Sequence, residues 1–82
     1  MNEYNGYTNY ETWNVSLWID NEEQLYRNKC TMLQAAGGAV EVSEIESFCR
    51  YEFPEGTPDM DSVYDMDRVN WQEIRDLWVE EI

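Results

Sequence analysis

Hydrophobic positions recur at helical spacing along most of the chain. Tyr10, Trp13 and Leu17 stand at i, i+3 and i+7, and Val15, Trp18 and Ile19 widen that stripe to more than half of a helix surface. A first helix, largely buried, is therefore predicted, and Thr8 followed by Glu11 has the form of a capping box that places its start. Asn21 with Gln24 repeats that form, so a second helix is predicted from about Glu22 to Ala36 after a break near Asp20. Tyr26, Cys30 and Leu33 share its face, with Leu25, Met32 and Ala36 beside them, and Gly37-Gly38 ends it by accepting the left-handed conformation. Val40-Glu41-Val42 alternates, but three residues are too few for a strand. Ser43 and Glu46 open a third helix through Ile45, Phe48 and Cys49 that must stop before Pro54.

From Glu52 to Asp67 the helical period is lost. This stretch holds both prolines, Gly56 and the acids Glu52, Glu55, Asp59, Asp61, Asp65 and Asp67 with no basic residue, and reads as a long acidic loop with one helical turn near Ser62 to Asp65. Asn70 and Glu73 then cap a last helix in which Trp71, Ile74 and Trp78 share a face, with Leu77 and Ile82 alongside. The expected fold is mainly α: a single-domain bundle of three to four helices over residues 1–82, with the acidic loop before the last helix. Its core is expected to join the first and last helices through Trp13, Trp18, Trp71 and Trp78. Residues 1–7 form a lead-in, and Tyr4, Tyr7 and Tyr10 are the aromatics expected nearest the surface.

Composition fits one domain. A chain of 82 residues cannot divide its buried surface into two cores, and 43% hydrophobic content with four Trp, six Tyr and two Phe is enough to fold without metal or disulfide staples. Charge narrows the partners. Eighteen Asp and Glu against five Lys and Arg give −13, which disfavours direct contact with nucleic acid or an anionic membrane and favours a basic protein approached by electrostatic steering. The same charge would also serve solubility alone. Cys30 and Cys49 are read as buried or partly buried thiols in a reducing cytoplasm; Met1 to Gly6 shows no signal-peptide pattern, and no apolar run approaches the roughly 20 residues of a membrane span.

Catalytic chemistry is sparse. The absence of histidine removes Ser-His-Asp and Cys-His catalysis and His-ligated metal sites, the sole lysine Lys29 lies mid-helix, and Gly37-Gly38 lacks the context of a phosphate loop. Paired carboxylates would be the remaining catalytic means, in a chain too short to wall off a dry cleft with ease. Asp59-Met60-Asp61 and Asp65-Met66-Asp67 alternate as calcium ligands do. An EF-hand loop begun at Asp59 nevertheless needs Gly and Glu where Tyr64 and Asn70 stand. The expectation is a protein without enzymatic activity, cofactor or required metal.

The run Asn9-Tyr10-Glu11-Thr12-Trp13-Asn14-Val15-Ser16-Leu17-Trp18-Ile19, extended by Tyr7-Thr8 before it and Asp20-Asn21 after it, resembles the opening of a family of small, uncharacterised acidic proteins, many from bacteriophages and plasmids. Val69-Asn70-Trp71-Gln72-Glu73-Ile74, with Trp78, resembles the second block of that family, and residues 28–67 lie outside the likeness. The resemblance implies a mobile-element context and the cytoplasm of a host cell. Such genomes encode acidic inhibitors of host defence, including anti-restriction and anti-CRISPR proteins, some of which imitate DNA. Acids four apart on a helix lie about 6 Å apart along its axis, against about 3.4 Å between phosphates of one DNA strand, so a carboxylate surface approximates a phosphate track. The expected function is inhibition of a basic, nucleic-acid-binding host protein such as a defence nuclease or its targeting complex. Contact is expected through Glu52, Glu55, Asp59, Asp61, Asp65, Asp67, Tyr4 and Tyr7. The alternative is a structural or accessory phage protein whose acidity serves solubility and whose exposed aromatics form a homodimer.

Overall fold

The computed structural model describes residues 3–81 and orders them as α1 (Tyr10–Asn21), α2 (Glu23–Ala36), α3 (Val42–Glu52), a 3-10 helix (Val63–Arg68) and α4 (Trp71–Glu80). The mainly helical expectation holds, with the 3-10 helix inside the segment read as an acidic loop; the expected place of Ile82 lies outside the described residues. Two helix ends fall where the sequence puts them. Gly37 adopts the left-handed conformation (φ 61°) after α2, and α3 stops just ahead of Phe53-Pro54.

Three helix starts differ, for local reasons. Asn9, not Thr8, caps α1: its carboxamide oxygen accepts from the Thr12 N–H at 2.9 Å and the Thr12 hydroxyl at 2.6 Å. α1 runs on through Asn21, so the Asn21–Gln24 pair caps nothing, and Gln24 bonds to Asn28 instead. At α3 the carboxylate of Glu44 accepts from the Glu41 N–H at 3.1 Å, which starts the helix at Val42 and leaves Glu46 to pair with Arg50. Asn70 caps α4 as its spacing predicts, accepting from the Glu73 N–H at 3.1 Å.

The main helix pairings are α1 with α2 and α3 with α4, with slighter contact between α1 and α4. Between them lie Val15, Ile19, Leu33, Val40, Ile45, Cys49, Ile74 and Trp78, joined by Phe53 and Met66 from the acidic segment and Val69 just after it. The four-tryptophan core is not formed. Trp78 alone is fully buried; Trp18 and Trp71 lie at the margin of the core, and Trp13 stands apart, packed on Tyr4 and Tyr10 with ring centroids 4.8 and 5.6 Å away. The inward face of α1 is instead Thr12, Asn14, Val15, Ser16 and Ile19. The small polar side chains of Thr12, Asn14 and Ser16, interleaved with Val15 and Ile19, let neighbours approach closely and leave the bulky aromatics to the flanks.

Lys29, unremarkable in the sequence, is wholly buried. Its ammonium lies 2.7 Å from Asp20 and 3.0 Å from Glu81, and about 5.0 Å from the ring centres of Trp78 and Tyr26. Burial pushes its pKa down, but the hydrogen bonds to Asp20 and Glu81 outweigh that effect, and the net shift is upward. Its contribution to stability is thus fully present below the ordinary lysine pKa and is lost only as pH rises through the raised value. One cation ties the end of α1 to α2 and to the residue after α4. Both cysteines are free thiols, Cys49 buried and Cys30 half-buried, and no helix among the described residues is long and apolar enough to cross a membrane.

Truncation of the tryptophans separates core from flank. Trp78→Ala is expected to cost about 3–5 kcal/mol in urea unfolding, as for other buried large-to-small changes, and Trp13→Ala less than half as much. Equal losses would contradict this assignment of the core.

Candidate functional site

Asn14 is the centre of a polar seam between α1 and the acidic segment. It is fully buried, and its amide nitrogen donates to Asp59 Oδ2 at 2.9 Å while its amide oxygen accepts from the Thr57 hydroxyl. The indole N–H of Trp18, one turn further along α1, donates to the same Asp59 oxygen at 2.9 Å. These two hydrogen bonds, from Asn14 first and Trp18 second, hold the Asp59 carboxyl below its usual pKa of 3.8, against a smaller opposing effect of desolvation. The seam continues at the other end of the segment. Asn9 donates to the Arg68 carbonyl at 2.8 Å, and the Asn70 N–H donates to the Thr12 hydroxyl oxygen at 2.8 Å.

The capping groups of α1 and α4 are crossed as a result. Glu73 accepts from the Thr8 N–H at 3.0 Å, Thr12 accepts from the cap N–H of α4, and the Asn70 amide reaches the Thr8 hydroxyl at 3.1 Å. Side chains at the third position of each helix thereby satisfy backbone donors ahead of the other helix. Capping chemistry becomes tertiary contact.

With its far end pinned, the start of the segment folds into one wall of a groove of about 460 Å³. Gly56 makes the turn at φ 86°, where a Cβ would be strained and would come 3.3 Å from the Met60 sulfur. Phe53, Pro54 and Pro58 on this wall face Trp18 and Leu25, so the lining is mainly apolar. Three carboxylates border it: Glu22 from the α1–α2 joint, and Glu52 and Glu55 from the segment. None of the three is paired with a cation among the described residues. The five Lys and Arg side chains each lie within 4 Å of some other carboxylate.

The structure divides the acids singled out from the sequence. Glu52 and Glu55 border the groove, whereas Asp59 turns its carboxylate toward α1. Asp61 is exposed, with its N–H donating to Asp65; Asp65 also lies 3.6 Å from Arg68, and Asp67 lies 2.8 Å from Arg50. The segment has no basic residue of its own but receives two from its neighbours. Tyr4 and Tyr7 close a tight turn over Asn5 (φ 49°) and Gly6 (φ 87°) by two mutual backbone hydrogen bonds of 2.8 Å, and Tyr4 packs edge-on against Tyr10. The most exposed aromatics are Tyr51 (83%) and Tyr64 (76%), which sequence reasoning passed over although Tyr51 falls off the Ile45–Cys49 face of α3. Sequence reasoning also missed Trp18 and Glu22 as groove residues; their spacing of four is the one signal that places them on a common side.

No group of three or more Cys, Asp or Glu side chains among the described residues is placed to hold a metal ion. The chain belongs to a family of unknown function (DUF7249), whose model matches residues 1–82. No curated protein and no solved structure matches it.

The Asp59 seam carries a pH signature. A carboxyl with a depressed folded-state pKa adds stability above its unfolded value and loses that contribution as pH falls through the folded value. Wild type is expected to melt higher than Asp59→Asn at pH 7, and the two midpoints should converge below pH 3.8. A difference that persists unchanged at pH 2 would contradict the charged hydrogen-bond acceptor assigned to Asp59.

Proposed function

We propose that this member of the family is a mobile-element inhibitor that binds a basic, nucleic-acid-binding host protein, such as a defence nuclease or its targeting complex, and competes there with nucleic acid. The carrying observation is the pairing of the five basic side chains, which leaves a net charge of −13 with no unpaired Lys or Arg to interrupt it. Such a field attracts a cationic groove from a distance and repels the nucleic acid that the groove would otherwise hold. The ordered acidic segment gives that field a fixed geometry, since Asp59 and Thr57 are anchored to α1 and the Arg68 carbonyl to its cap residue Asn9. Binding without catalysis fits the residue types present.

The second reading, an accessory phage protein that self-associates, is favoured by a different observation. Tyr51 and Tyr64 are exposed large aromatics with no cover in the monomer. On that reading the acids serve solubility, and sedimentation at rising concentration should show a dimer that Tyr51→Ser with Tyr64→Ser disrupts.

The inhibitor reading is tested by immobilising the protein, capturing partners from host lysate and titrating DNA against the captured partner. The expected result is a basic nucleic-acid-binding protein that DNA displaces, with affinity falling steeply between 0.1 and 1 M salt as the Debye length shrinks from about 10 Å to about 3 Å. A partner that keeps its full DNA affinity at saturating inhibitor would contradict competition.

A further inference from the structure

We propose that the groove between Trp18, Leu25 and residues 52–58 receives an arginine side chain presented by a basic segment of the partner protein. This deepens the proposed function and rests on it for the partner's charge. Two features of the groove have to be matched at once. Its lining is apolar, from Trp18, Leu25, Phe53, Pro54 and Pro58, and its border carries Glu22, Glu52 and Glu55 without a cation from this chain among the described residues. An apolar ligand would leave three carboxylates facing it, and a small inorganic cation would leave the aromatic and proline surface uncovered. A long aliphatic stem ending in a cation matches both.

Arginine fits better than lysine for three physical reasons. Its guanidinium is weakly hydrated, stacks flat on an aromatic ring, and forks to two carboxylate oxygens. Trp18 supplies the ring at the groove wall, and its indole N–H is held by Asp59, which fixes the orientation of the ring before any ligand arrives. Gly56 keeps the opposite wall close, because its positive φ turns the chain back between Pro54 and Pro58. The size is in range as well. About 460 Å³ falls within the roughly 300–1,000 Å³ of ordinary ligand pockets and holds one long side chain with part of its backbone. A cationic side chain seated here would also be stabilised by the surrounding field, since the charge of the whole chain is −13.

The test uses the full chain and a capped seven-residue alanine peptide with one central arginine, followed by NMR at low salt. Its controls are the same peptide with citrulline, which keeps the shape and removes the charge, and free spermidine. The arginine peptide is expected to shift the Trp18 indole signal and the amides of residues 52–58 at least tenfold more strongly than the citrulline peptide. The groove triple Glu22→Gln, Glu52→Gln, Glu55→Gln should lose at least tenfold in affinity, while the equally charged triple Glu3→Gln, Glu41→Gln, Glu80→Gln should lose less than threefold. Equal losses in the two triples, or equal shifts with citrulline, would overturn the groove. Spermidine shifting the same signals as strongly would overturn the assignment to a protein side chain. The two triples are then compared on the captured partner. If both bind it alike, the groove proposal fails and the acidic-field reading stands. If the wild type captures no basic partner yet the groove triple alone abolishes arginine-peptide binding, the inhibitor reading fails and the groove stands.

Discussion

A primary amide in the middle of a helix, fully removed from water, must find its hydrogen-bond partners elsewhere in the protein, because the helix backbone has already used its own. Asn14 is such a group: beyond a long 3.4 Å contact to the Tyr10 hydroxyl one turn back, it donates to Asp59 and accepts from Thr57. A buried amide left unpaired costs on the order of 1–3 kcal/mol. The acidic segment is therefore drawn onto α1, although the only local order its own sequence favours is the turn that Ser62 caps. Thr12 repeats the logic near the start of the helix, where its hydroxyl receives the cap N–H of α4. The two contacts add polar anchors to a segment whose Phe53 and Met66 also enter the core.

Charge is distributed unevenly over the molecule in consequence. Acids concentrated between two prolines and a 3-10 helix repel one another, yet Met66, Phe53 and Val69 from the same stretch are buried in the core. Arg50 and Arg68 lie across the segment and relieve part of that repulsion, through Asp67 at 2.8 Å and Asp65 at 3.6 Å. Lys29 relieves it elsewhere, between Asp20 and Glu81 and against the rings of Tyr26 and Trp78. With the cations consumed in this way, Glu22, Glu52 and Glu55 have no cationic partner among the described residues. The fold uses its few basic residues for cohesion and leaves a surplus of negative charge, −13 over the chain.

Much of the helical architecture was legible in the sequence. The Gly37 terminus, the stop before Pro54 and the Asn70 cap depend on neighbours a few residues away, so local chemistry decides them. The start of α1 was misplaced because Thr8 and Glu11 have the form of a capping box while the backbone N–H of Thr8 is taken by Glu73, sixty-five positions away. The tryptophans misled for a related reason: bulk and periodicity suggest burial, but Asn14 occupies the inner face once Thr57 and Asp59 supply its polar partners. Lys29 was illegible, since its partners Asp20 and Glu81 lie nine and fifty-two positions away. Of the acids proposed for partner contact, no sequence signal separates Asp59, which is engaged with α1, from Glu52 and Glu55, which border the groove. That difference exists only in three dimensions.

The dependence of the acidic segment on one buried amide is open to direct measurement. Native-state hydrogen exchange on Asn14→Ala, compared with wild type at neutral pH, reports the opening of each segment separately. Amides from Thr57 to Asn70 are expected to exchange at least tenfold faster in the variant, while those of Tyr26 to Leu33 in α2 change much less. Uniform acceleration along the chain, or none in the segment, would contradict that dependence.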